Sequence, residues 1–398
     1  MIMKSKLSTY ILCLNSGSSS LKFSLYHLVS MQMEVKGAIS AIGTASGLFK
    51  INDSRGTSLK NESGLFKDMH TAVESLTEWL DENQNKYPLA AIGHRVVQGG
   101  PAHRAPEMLT EQLLATLKQF IFLAPNHLPE ELAIIHTFLE KFRNLPQVIC
   151  FDTFFHRNMP FCGHHYALPS KYTSKDLIRY GFHGLSYEYI MLRLSEKRLP
   201  VKSKKIIIAH LGNGASLAAV KNGISIDTTM GVSPMGGLVM STRSGDLDPG
   251  ALLFLLKKNK LSIDELEELL SKQSGLKAIA GTGDIKELLE AEHFNSAAAS
   301  ALTLFCYTIR KQIGALTAAM GGLDILVFTG GIGENSAIIR SRICKELGFF
   351  GIELDSRLNL YSREVISSEK SRVLVYVIKT NEELVIARHA QNMVKLNN

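Results

Sequence analysis

Short apolar runs rich in β-branched residues alternate with longer amphipathic stretches from one end of the chain to the other. They begin with "YILCL" and recur at "AAIGHRVV", "QVICF", "KIIIAHL", "ISIDTTM", "DILVFTG" and "RVLVYVI". Runs of this length and composition predict strands. Between them, apolar positions recur at helical spacing behind readable start signals. Asp248-Pro249 supplies an N-cap and first helical residue to "GALLFLLKK", and Ser262 with Glu265 forms a capping box before "LEELLSK". A long helix is entered at Asn295 or Ser296 and stopped by Gly321-Gly322. Strand and helix in alternation predict an α/β fold.

The first strand runs into "NSGSSSLKFSLY", a hydroxyl-rich turn that leaves as a second strand. At 206–220, "IIIAHLGNGASLAAV" repeats that plan, followed by the turn Lys221-Asn222-Gly223. Each half is therefore expected to open with a β-hairpin. A chain of 398 residues exceeds one ordinary core, so two similar lobes facing a cleft are expected. The first spans 1–152 and is completed by a C-terminal helix over 384–398; the second spans 153–383, with the boundary near Asp152.

Three segments are rich in glycine and small polar residues: Asn15 to Ser20, His210 to Gly214, and Gly330 to Ser336. The third follows the strand "DILVFT" and is expected to open the helix "SAIIRSRICKEL". Bare N–H groups at such a turn attract an anion, and glycines let a phosphate approach the main chain. The common phosphate fingerprints are absent. No loop fits the Walker A pattern, and "GNGASL", "GTGDIK" and "GIGENS" all fail the dinucleotide pattern. Nucleotide binding by hairpin turns from two similar lobes points instead to an actin-, sugar-kinase- and Hsp70-like architecture. That is two duplicated ribonuclease-H-like domains, each a mixed sheet flanked by helices. In the first hairpin Ser18, Ser20 and Lys22 alternate, so a regular strand presents them on one face toward a transferring phosphate.

Composition narrows the choices. The charge of +7 is spread along the chain, and short clusters such as "VKSKK" read as solvated edges, so nucleic acid is not expected as a partner. No apolar stretch is long enough to span a bilayer, and the run after Lys4 and Lys6 stops at Asn15, short of a signal peptide's core. The five cysteines, Cys13, Cys150, Cys162, Cys306 and Cys344, lack paired spacing and read as buried thiols. A cytoplasmic location is expected.

Phosphoryl transfer asks for positioning and for cations around the migrating group. Candidates stand at strand ends and in glycine-flanked loops: Arg95 in "GHRVVQGG", Asp152 after "QVICF", His183 in "RYGFHG" and Arg243 in "STRSGDLDPG". Near the C-terminus, Thr380 and Glu383 have capping-box spacing, which leaves Glu382 for a metal together with Asp152 or Asn15.

With these residues in view, the chain resembles the acetate and propionate kinase family of the actin-like phosphotransferase superfamily. The resemblance runs nearly end to end through "LNSGSSSLKFSL", "GHRVVQGG", "FDTFFHRNMP", "RYGFHGLSYEY", "HLGNGASLAAVKNGISIDTTMG", "TRSGDLDP", "FTGGIGENS" and "TNEELVIAR". It implies a phosphotransferase that uses ATP, acetate and Mg2+, or Mn2+ in its place, to give ADP and acetyl phosphate, in a homodimer. It implies Asn15 and Glu382 as metal-site residues and Lys22 as a nucleotide contact. Arg95 is implied to bind the acceptor carboxylate, Asp152 to be the active-site acid or base, and His183 and Arg243 to stabilise the transition state. Further nucleotide contacts are implied at His210, Leu211, Gly212, Asn213 and Gly214, at Asp284, Ile285 and Lys286, and at Gly331, Ile332, Gly333, Glu334 and Asn335. Val97, Phe182 and Pro234, with His127, are implied to form the acyl pocket.

A simple carboxylate is already ionised at neutral pH, so the nucleophile needs no base. Asp152 is accordingly expected as an outer-sphere metal or water ligand. The chain departs from the family at Asn126, where an apolar residue is expected, at Gln98 and Tyr187 in place of histidines, and at Ser241 in place of glycine. Propionate or another short carboxylate stays open as the acceptor, and a carboxylate-independent ATPase is the remaining alternative.

Overall fold

The structure is a computed structural model that describes residues 9–17, 19–173 and 176–396. It divides into two compact units, one running to Phe154 and resuming at Asn381, the other running from Phe155 to Thr380.

In the first unit, β1 (Tyr10–Gly17) and β2 (Ser20–His27) form an antiparallel hairpin that β3 (Met33–Ser40), β4 (Gly47–Asp53) and β5 (Ser58–Gly64) extend. After α1 (Met69–Glu82) come β6 (Leu89–Val96), β7 (Glu107–Met108), α2 (Glu111–Lys118), α3 (Leu128–Lys141) and β8 (Gln147–Phe151). The sheet runs β5-β4-β3-β2-β1-β6-β8-β7, with β6 parallel to both β1 and β8. Parallel strands end together, so Asn15, Arg95 and Asp152 come out at one end of the sheet, where ligands of such sheets are bound. Helix α1 starts at Asp68, whose carboxylate accepts from Thr71 N, and packs Leu76, Trp79 and Leu80 onto the sheet. There the Trp79 ring lies 6.1 Å from Phe23, which lies 6.3 Å from Phe49. Burying each such ring stabilises the unit by about 1.5–3 kcal/mol.

The second unit holds α4 (Phe161–His164), α5 (Gly184–Glu196), β9 (Lys205–Leu211), β10 (Ala215–Lys221) and β11 (Ile224–Thr228). Helices α6 (Pro249–Lys258), α7 (Ile263–Lys272), α8 (Gly275–Ala280), α9 (Ile285–Ala291) and α10 (Ser296–Met320) follow. The chain then forms β12 (Ile325–Thr329), α11 (Gly330–Asn335), α12 (Ala337–Cys344), α13 (Ser356–Leu360) and β13 (Leu374–Val377). The last helix, α14 (Glu382–Leu396), returns to the first unit and packs on β1, β6 and β8.

The second sheet runs β11-β10-β9-β12-β13, with β9, β12 and β13 parallel. Its plan, an antiparallel meander whose first strand continues into two parallel strands, is that of β3-β2-β1-β6-β8. Two mixed sheets of one plan, each flanked by helices, are the duplicated architecture that the sequence pattern predicts. The expected caps form at Asp248, at Ser262 with Glu265, and at Asn295, and Gly321 ends α10 at a φ of 73°.

Three details differ from expectation. The stretch Gly330 to Asn335 is itself a short helix, and α12 starts separately behind Ser336, whose hydroxyl accepts from Ile339 N. Gly330 makes that sharp entry: its φ is 77°, and a Cβ there would stand 2.7 Å from Leu211 O. Thr380 and Glu383 do not form a capping box. Asn381 Oδ1 accepts from Leu384 N instead, because the Thr380 hydroxyl is engaged with Ser186 and Glu383 is buried. Cys162, on short α4, is exposed, whereas the other four cysteines are buried. Among the described residues no helix is long and apolar enough to cross a membrane.

Candidate active site

In the first unit the candidate residues gather around one guanidinium. Arg95 lies one residue from the end of β6, and Asp152 immediately follows β8. Arg95 Nε donates to Asp152 Oδ1 at 3.0 Å and Nη2 to Oδ2 at 2.6 Å, a two-point fork. Arg95 Nη1 donates to Asn15 Oδ1 at 3.1 Å and to Ser16 O at 3.3 Å. Asn15 Nδ2 donates to Glu382 Oε2 at 3.0 Å, where α14 begins. Lys22 is the cross-strand partner of Asn15, so both side chains lie on the same face of the hairpin, with Lys22 exposed. Ser20 pairs with Gly17 and is half-buried; Ser18 lies outside the described residues.

The electrostatics follow from burial. Asp152 is 1% exposed, and replacing bulk water by Arg95 is what permits its charge there. Burial works against the Arg95 charge, but the Asp152 carboxylate outweighs it and raises the guanidinium above its usual range. Burial pushes Glu382 up to about 7, with Asp152 and Glu383 adding to the rise and Arg95 and the Asn15 amide opposing it. Val97 follows β6 and is buried, and His127 is half-buried at the start of α3. Asn126 is exposed.

In the second unit, His183 caps α5 from the left-handed region, at a φ of 58°. Its Nδ1 is hydrogen-bonded to Ser216 Oγ at 2.8 Å, and its ring stacks on His210 at 4.3 Å. His210 Nδ1 bonds Ser186 Oγ at 2.8 Å, and Ser186 Oγ in turn bonds Thr380 Oγ1 at 2.8 Å. Thr380 N and Gly330 N both donate to Glu334 Oε1, at 3.0 and 2.9 Å, so the chain of bonds runs from His210 into α11. The β9–β10 turn passes directly under an imidazole and a guanidinium: a Cβ on Gly214 would stand 3.3 Å from His183 Nε2 and 3.5 Å from Arg243 Nη1. Arg243 Nη1 also donates to Pro234 O at 3.2 Å.

The nucleotide-binding candidates of this unit lie on neighbouring segments. A Cβ on Gly212 would lie 3.9 Å from Gly331 N, so the hairpin turn abuts α11. Ser241 Oγ bridges Asn213 Oδ1 at 3.5 Å and Gly283 O at 3.0 Å, next to Asp284. Asp284 spends its carboxylate on the N–H groups of Lys286 and Glu287; Ile285 is buried and Lys286 exposed. Leu211 is fully buried, Gly333 is buried, and Ile332 is partly so. Asn335 Nδ2 closes α11 onto Gly331 O at 2.9 Å. Phe182 is buried, its carbonyl bonded to His156 Nε2 at 3.2 Å, and Pro234 is buried too.

Sequence reasoning missed the residues that hold these groups: Ser186, Ser216 and Thr380 behind the two histidines, Ser241 behind Asn213, and Glu131 behind Val97. Single hydroxyls carry no spacing signal. Glu131 does carry one, as a carboxylate standing between Leu128, Leu132 and Ile135 on the apolar stripe of α3.

A model of the Acetokinase family matches residues 10–388. The acetate kinase of Halothermothrix orenii is 40% identical over 97% of this chain and 99% of its own, and that of Treponema denticola is 40% identical over 97% and 100%. Among solved structures, a propionate kinase from Francisella tularensis superposes with a TM-score of 0.90 at 37% identity, covering 96% of this chain and 99% of its own. Acetate kinase from Porphyromonas gingivalis superposes with a TM-score of 0.86 at 36% identity, covering 97% and 100%.

Proposed function

The chain belongs to the acetate and propionate kinase family, and from that premise we propose that it transfers the γ-phosphoryl group of ATP reversibly to acetate, giving acetyl phosphate and ADP. The observation that carries the reading is the Gly214 turn, whose bare main chain lies against both His183 Nε2 and Arg243 Nη1. An amide-lined turn with a guanidinium and an imidazole beside it suits a phosphoryl group in flight, which is stabilised by charge and position rather than by covalent help.

In the proposed reaction an acetate oxygen attacks the γ-phosphorus in line. A P–O bond to the acetate forms, the bond to the β,γ-bridging oxygen breaks, and its electron pair leaves with ADP. The acetate is already an anion, so no side chain removes a proton. Arg95 receives the acceptor carboxylate. Because Asp152 takes Nε and one Nη2 N–H of Arg95, and Asn15 and Ser16 take Nη1, the acceptor meets the guanidinium at the second Nη2 N–H, and Asp152 orients Arg95. Val97, Phe182, Pro234 and His127 are assigned to the acyl group. Arg243 and His183 face the charge that spreads over the transferring oxygens. Ser18, Ser20 and Lys22 take phosphate oxygens, and segments 210–214, 284–286 and 331–335 take the rest of the nucleotide.

Asn15 and Glu382 offer an amide and a carboxylate, hard oxygen donors of the kind that hold Mg2+ or Mn2+ alongside water and phosphate. A cation there also favours the ionised form of Glu382, which burial disfavours. When bound, the metal neutralises phosphate charge. A homodimer is proposed as well, in keeping with the exposed Leu253, Phe254 and Ile263 on α6 and α7; sedimentation at the 43.9 kDa of one chain would contradict it.

Propionate is the second reading for the acceptor, favoured by the close superposition on a propionate kinase. Trapping the acyl phosphate with hydroxylamine across acetate, propionate and butyrate decides between them. Acetate is expected to give the highest kcat/KM, and chelating the divalent metal is expected to stop all three reactions. Product that forms equally well with the metal removed would contradict the assignment of Asn15 and Glu382.

A further inference from the structure

Glu131 is a buried ionisable group for which the roles above have no use. It stands on the inward face of α3 and is 5% exposed, and its Oε2 accepts from Val97 N at 2.9 Å, two residues beyond Arg95. The charged groups with the largest influence on it are Arg95 from β6, Asp152 after β8 and Glu130 from α3 itself. Burial pushes its carboxyl up to about 7, Arg95 and the Val97 N–H pull it back, and Asp152 and Glu130 raise it further. Arg95 is already matched by Asp152 at 2.6 Å. A single buried guanidinium does not balance three resident carboxylates, Asp152, Glu382 and Glu131, and an incoming fourth, since uncompensated buried charge is strongly unfavourable. A proton on Glu131 removes one of these charges.

Resting on the carboxylate-kinase reading, we propose that Glu131 is a positioning residue for the acceptor: as the neutral acid it fixes the Val97 backbone and leaves the Arg95 charge to the substrate carboxylate, and as the carboxylate it opposes that substrate.

The test is the pH dependence of KM for acetate at saturating ATP and metal. For a single group that must be protonated for binding, KM rises about fivefold between pH values of about 7 and 8, while KM for ATP does not follow. Glu131→Gln keeps an oxygen for Val97 N and removes the titration, so its KM for acetate is expected to be flat over that range. Proton uptake on acetate binding, measured calorimetrically on the wild-type protein in two buffers of different ionisation enthalpy, needs no variant and is expected to be net positive just above neutrality. An unchanged pH slope in Glu131→Gln, or no proton uptake by wild type, overturns the inference while leaving carboxylate turnover in place. Absence of turnover with every carboxylate overturns the underlying reading and this inference with it.

Discussion

Arg95→Ala is expected to lower kcat/KM for acetate by about 10³-fold or more, with little change in KM for ATP. The guanidinium gathers Asp152, Asn15 and the Ser16 carbonyl in one place, so its loss removes the acceptor's cation and also strands the Asp152 carboxylate. A buried partner left unpaired in this way costs about 3–5 kcal/mol, and urea unfolding should show a loss of that size. The two effects separate in the double variant. Removing Asp152 together with Arg95 is expected to recover most of the stability and none of the activity. Arg95→Lys keeps the charge but cannot reproduce the fork, and should stay severely impaired. Recovery of activity in the double variant would show that Arg95 serves only the fold.

Arg243→Ala should act on a different quantity. Its Nη1 stands beside the Gly214 turn and the Pro234 carbonyl, where the proposal places charge that develops only during transfer. An arginine used in that way is worth about 10³–10⁵ in kcat. Both KM values should change by much less than kcat, and the unfolding midpoint should move less than in Arg95→Ala. Steady-state kinetics on each substrate in turn check this; a rise confined to one KM would make Arg243 a binding group.

Much of this was legible in the sequence. "YILCL", "KIIIAHL" and "DILVFTG" became the central strands because continuous β-branched runs suit strands covered on both faces. Strands β3 to β5 were not foreseen. In β5, "SLKNESG", nearly every residue is exposed, and an edge strand without a buried face leaves no apolar period to find. Asn15, Arg95, Asp152 and Glu382 were legible as polar groups at the ends of apolar runs, and the structure brings these four together. The reason given for Glu382 was mistaken: Asn381, rather than Thr380 with Glu383, caps α14, and Glu382 reaches Asn15 from the first turn of that helix. The glycines of "GGIGEN" suggest a turn that opens the following helix, yet the segment is itself a short helix, in which Glu334 folds back onto Gly330 N and Asn335 onto Gly331 O. The hydroxyls behind His183 and His210 were invisible, since their partners lie on other elements far along the chain.

The most direct measurement is ADP release from MgATP with and without acetate, with acyl phosphate quantified in the same samples. Release that requires acetate and matches acetyl phosphate mole for mole is the predicted result. ADP formed at the same rate without any carboxylate, and without acyl phosphate, would instead describe an ATPase and contradict the account.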